Sequence, residues 1–125
     1  MVLVESENRS GVEFDVQAAS KVMLDVLLEE GVKEGWVGFS LVAPERIRGL
    51  KHQHLGVDEE TDVLAFPIDG RDPLPAGMPR HIGDVVLCPQ VVGDAWRPPL
   101  VHAILHLLGY DHGPEMEARE RAHAR

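Results

Sequence analysis

Cysteine is nearly absent: Cys88 stands alone in the 125 residues. No internal disulfide can form, and the chain suits a reducing cytoplasm. Positive charge is scarce too, with 12 Lys and Arg against 21 Asp and Glu and a net charge of −9. A broad basic grip on phosphates is thereby excluded. Any nucleic-acid contact must come from a local patch or from a bound metal. Aromatics make up 5% of the chain, too few for a sheet that stacks bases. No apolar run reaches the length of a membrane span, so no membrane partner is expected. The opening Met-Val-Leu-Val-Glu-Ser-Glu lacks the basic start and long apolar core of a signal peptide.

What is present is an ordinary globular composition, 44% hydrophobic and 26% charged. The length fits one domain over residues 1–125. Residues 2–8 read as a strand. Val16, Val22, Met23, Val26 and Leu27 recur at helical spacing, with Asp15 as N-cap and Gly31 as stop. Residues 36–43 alternate as a half-buried strand. Pro44 opens a short helix. A strand over 62–66 ends at Pro67, and 82–87 reads as another before Pro89. Between them, Gly70, Pro73, Pro75, Gly77 and Pro79 mark a mobile loop over 69–81. Pro98-Pro99 starts a further helix, and 114–124 forms a charged terminal one. The expected fold is α+β, a small mixed sheet packed with helices.

The densest functional signal is His102-Ala-Ile-Leu-His106-Leu-Leu-Gly109-Tyr-Asp-His112. On a helix, His102 and His106 lie one turn apart on one face. Such a pair can arise by chance or include a core histidine. Here, however, it interrupts an apolar run, and Gly109 supplies a left-handed helix end. The chain can then turn back and bring His112 to a third corner. Three imidazoles form a zincin-like three-histidine metal site, for Zn2+ or a similar ion, with a position left open for chemistry. The peptidase pattern H-E-x-x-H places a glutamate beside the first histidine. Ala103 occupies that place, which argues against proteolysis.

This histidine block resembles the H-G-x-L-H-L-x-G-Y-D-H signature of the YbeY family, bacterial endoribonucleases of rRNA maturation. Thr61-Asp-Val-Leu-Ala-Phe-Pro67 and Gly83-Asp-Val-Val-Leu-Cys-Pro89 resemble two further family blocks in order and spacing. The resemblance spans residues 2–123. It implies a zinc ion on His102, His106 and His112. It also implies cleavage of single-stranded RNA in maturing the 16S rRNA 3′ end, ribosome quality control, and the small ribosomal subunit as partner. The family commonly carries L-N-x-x-Y-R-G before the second block. Here the segment is Leu50-Lys-His-Gln-His-Leu55-Gly, so Leu55 replaces a phosphate-binding arginine. The stretch from Pro89 to His102 is also shorter than the family's, which implies a trimmed helix.

Secondary candidates follow. Arg46, Arg48 and Lys51, with His52 and His54, form the best RNA-contacting segment; a solvated helix face is the competing reading. Asp111 beside a ligand is an acid–base candidate, a partner orienting an imidazole, or simply a polar helix end. Asp84 either holds a ligand or meets solvent at a sheet edge. Arg80 and His81 flank the loop near possible phosphates, or are ordinary surface. Trp36 and Trp96 can stack on bases, though packing is commoner. Cys88 reads as a small apolar residue, and Glu115 to Arg121 as a solvated face. Three functions remain open: a metallo-endoribonuclease, a metalloprotease-like hydrolase, and a ribosome-associated binding protein whose catalysis has decayed. DNA is not an expected partner.

Overall fold

In the computed structural model, residues 1–59 and 61–124 are described. Strand β1 (Val2–Asn8) leads into helix α1 (Val16–Glu29), then β2 (Gly35–Leu41) and α2 (Pro44–Leu55). Strands β3 (Val63–Pro67) and β4 (His81–Leu87) follow, then α3 (Pro89–Val92), α4 (Arg97–Leu107) and α5 (Pro114–Ala122). The strand order is β1-β2-β4-β3. β1, β2 and β4 run parallel, and β3 runs antiparallel to β4 at the edge. The described residues thus build one small α+β domain on a mixed sheet, as expected.

Capping chemistry fixes α1 as the sequence predicts. The Asp15 carboxylate accepts from the Ala18 N–H at 3.0 Å. At the other end Gly31 takes φ +85°. Its N–H donates to the Leu28 carbonyl and that of Val32 to the Leu27 carbonyl, closing a Schellman turn. Alternation along the strands then divides the core. Val37, Phe39, Leu41, Val85 and Leu87 pack with α1 and α4 on one face, joined by Met116 of α5. Val42, Leu64, Val86 and Cys88 pack beneath Ile47 and Leu50 of α2 on the other. Cys88 is buried in that cluster, with its thiol 3.8 Å from the Gln90 side-chain oxygen.

Several details differ from expectation. The single-turn α3 is an element that the sequence reading does not include. β4 is an inner strand, so Asp84 is not at a sheet edge. Its carboxylate lies 2.8 Å from Nε2 of His81, whose ring stacks on Trp36 at 3.6 Å. His81 and Trp36 therefore engage each other, and Trp96 packs edge-on against Phe14. Arg80 donates to the carbonyls of Gly70 and Asp72, both at 2.8 Å. It thereby ties the 69–81 segment together at its base. Among the described residues, no helix is long and apolar enough to cross a membrane.

Candidate metal centre

Helix α4 carries His102 and His106 on one side while Leu100, Ile104 and Leu107 enter the core. At its end Gly109 takes φ +95°. The Gly109 N–H donates to the His106 carbonyl and the Tyr110 N–H to that of Leu105, both at 3.1 Å. This is the same Schellman turn that ends α1, and it reverses the chain so that His112 returns to the other two histidines. His102, His106 and His112 each offer one nitrogen that could ligate a metal, and these atoms lie within 4.8 Å of one another. The ring centroids are 4.6, 4.9 and 4.8 Å apart.

The hydrogen bonds fix which nitrogens face inward. Nδ1 of His106 lies 2.9 Å from the Tyr110 carbonyl. Nδ1 of His102 lies 3.1 Å from a carboxylate oxygen of Glu120. Both partners only accept, so each Nδ1 must donate, which leaves each Nε2 with a free lone pair in the neutral ring. These two Nε2 atoms are 3.0 Å apart. Two lone pairs that close repel unless a cation or a shared proton lies between them. Burial, then the charge of His102, push the His106 imidazole below its ordinary 6.5, despite the bond to Tyr110. The neutral ring is the form a metal takes. The donor set therefore fits a divalent ion such as zinc.

Glu120 is the main surprise. The run from Glu115 to Arg121 is not simply a solvated face. Glu120 reaches His102, and Arg119 clasps Glu30 through Nε and Nη2 at 2.8 and 2.6 Å. Glu30 also accepts from the Tyr110 hydroxyl at 2.7 Å and faces Nε2 of His123 at 2.7 Å. One carboxylate, 3% exposed, thus ties the end of α1 to the ligand-bearing turn and to α5. No local pattern in the sequence signals either contact.

The histidines open onto a cleft of about 800 Å³. Thr61 and the β3 residues Val63–Pro67 also line it, and Lys51, His54 and Leu55 of α2 stand opposite. Asp111 is exposed and lines the same cleft. It is neither the partner of His102 nor that of His106. Of the basic trio, only Lys51 reaches the cleft lining. It bonds Glu59 at 2.8 Å, while Arg48 bonds Asp58. Arg46 is exposed outside the cleft. Leu55, 60% exposed, lines the wall where the resemblance anticipates arginine.

Fold and site together define a class: an α+β domain with a three-histidine, metal-type centre in a cleft beside an edge strand. A model of the family described as Endoribonuclease YbeY matches residues 3–124. The chain belongs to that family. It is 35% identical to Endoribonuclease YbeY of Salinispora tropica, over 94% of this chain and 87% of that one. It is 33% identical to the Rubrobacter xylanophilus protein of the same name, over 97% and 87%. The fold resembles the solution structure of TM1509 from Thermotoga maritima, with TM-score 0.56 at 23% identity, over 98% of this chain and 86% of that one.

Proposed function

We propose that this protein is a single-strand-specific metallo-endoribonuclease. On this reading it acts in the cytoplasm on rRNA precursors, in 16S 3′-end maturation and ribosome quality control, with the small ribosomal subunit as partner. The observation that carries the proposal is the convergence of two lone-pair nitrogens and a third imidazole in an open cleft, in a chain whose relatives are named endoribonucleases. His102, His106 and His112 are the residues that would hold zinc. When bound, such an ion supplies charge that polarises a phosphoryl oxygen. Glu120 and the Tyr110 carbonyl orient the ligand imidazoles. Lys51 is the one basic residue of the candidate trio on the cleft wall, but it is held by Glu59 at 2.8 Å and lacks the bidentate fork of arginine. Asp111, exposed in the same cleft, is our candidate for the group that carries a proton.

Leu55 supports a second reading, a ribosome-associated binding protein with decayed catalysis. Proteolysis is disfavoured, because the Ala103 methyl, 1% exposed, stands where a peptidase's base would be. The test uses zinc-loaded wild type, His102→Ala and His106→Ala on single-stranded rRNA with an unprocessed 3′ tail. Cleavage by the wild type alone is expected. An inactive wild type with zinc verified would overturn the enzymatic reading in favour of the binding protein.

A further inference from the structure

The backbone of β3 offers something that its side chains do not. The Cys88 N–H donates to the Asp62 carbonyl at 2.9 Å, and the Ile68 N–H to that of Ile82 at 3.2 Å. In an antiparallel pair, bonding alternates along the strand. With Val63 opposite Leu87 and Ala65 opposite Val85, Leu64 and Phe66 share the inward set with Asp62 and Ile68. Val63 and Ala65 accordingly turn their N–H and C=O groups away from β4. β3 is the last strand of the sheet, and these residues line the cleft shared with the three histidines. Pro67 has no N–H, so the donor row ends at Ala65.

We propose that this free edge seats the RNA strand: the N–H groups of Val63 and Ala65 donate to phosphate oxygens, and their carbonyls accept from ribose 2′-hydroxyls. The proposal rests on the ribonuclease reading and names how that site recognises its substrate. Charge gives the first argument. The chain carries −9, Lys51 is engaged by Glu59, and Leu55 offers no cation. Neutral backbone donors are an ordinary means of holding phosphates, and they suit a cleft with few cations. Chemistry gives the second. The edge alternates donor and acceptor, repeating every two residues, about 6.8 Å. A single RNA strand alternates phosphate acceptors with 2′-hydroxyl donors. The 2′-hydroxyl is also the group that separates RNA from DNA. A peptide could add to the same edge as a strand, but two outward N–H groups give only a short ladder.

Ala65→Pro is the diagnostic change. It deletes an outward N–H while the neighbouring bonds to β4 come from Leu64 and Phe66. Zinc-loaded wild type and variant, with zinc content and thermal midpoint measured, are compared on single-stranded rRNA under single-turnover conditions. The half-saturating concentration should rise about tenfold, as for loss of one bond to a charged group, with the maximal rate changed less than about threefold. Unchanged saturation overturns the proposal. If the variant fails to fold, wild type is assayed on RNAs carrying single 2′-deoxy nucleotides away from the cut. Weakening at one or two positions supports the edge, and uniform tolerance overturns it. Saturation of Ala65→Pro by an extended valine-rich peptide, weakened while RNA affinity holds, assigns the edge to peptides and also overturns it. A wild type that cleaves nothing defeats the enzymatic reading; fluorescence anisotropy on the same RNAs then still decides the edge.

Discussion

A carboxylate against Nδ1 of a ligand imidazole fixes the tautomer and raises the basicity of Nε2. Glu120 holds that position against His102, from a different helix, so on the proposed reading it is a positioning residue. Replacing Glu120 with Ala should weaken zinc binding about 10–100-fold, measured by chelator competition. Gln, which keeps an acceptor but not the charge, should fall between. A purely structural role for Glu120 would instead lower the thermal midpoint of the metal-free protein and leave its zinc affinity unaltered. Leu55 invites the opposite experiment. It is exposed on the cleft wall, so arginine fits there without burying charge. Leu55→Arg should tighten RNA binding and steepen the salt dependence of log K by about 0.7 for a single strand. An unchanged slope would show that this wall does not meet phosphate.

Helix ends carry the site's geometry, and α4 shows how. His106 and His112 converge because the turn at Gly109 adopts a left-handed conformation. A Cβ added at that glycine meets nothing within 4 Å among the described residues. Gly109→Ala therefore carries a conformational cost without a clash, about 1–2 kcal/mol. Denaturant melts should show that loss, and chelator competition a weaker hold on zinc through a displaced His112. The two histidines, the glycine and the third histidine were legible in the sequence because helix periodicity and cap chemistry act within one or two turns. Asp15 and Gly31 were legible for the same reason. Glu120 was not, since its partner lies 18 residues away and α5 reads as a uniformly charged helix. The outward N–H groups of β3 were equally hidden. The sequence marks a strand over 62–66, but not which strand takes the edge. Asp84 misled because strand order, and hence what is inner, depends on pairings distant in sequence.

At the scale of the whole molecule, Glu30 decides whether these pieces stay registered. Burial alone would raise its carboxyl pKa. The hydrogen bonds from His123, Tyr110 and Arg119, with the Arg119 charge, outweigh burial and hold it below its ordinary value near 4.5. Arg71 adds its guanidinium at 3.9 Å, and His123 also meets Glu29 at 3.2 Å. In acid the unfolded chain takes up this proton more readily than the folded one, so stability rises with pH across that range. The contribution is complete well above the ordinary 4.5, begins to fall near it, and is lost as pH drops through the lower folded value. Thermal melts of the protein in chelator, which removes the metal's own pH dependence, should lose midpoint steadily below pH 5. Glu30→Gln should start lower at pH 7, by about 1–3 kcal/mol for buried partners left partly unsatisfied, and then fall less steeply through the same acid window. Parallel acid curves for the two proteins would mean that other carboxylates govern acid unfolding. The link to function is separately measurable. Glu30 holds Tyr110 and, through Arg119, the helix bearing Glu120, so Glu30→Gln should also weaken zinc binding at pH 7, although Glu30 makes no contact with a ligand histidine. Undiminished zinc affinity would confine Glu30 to stability alone.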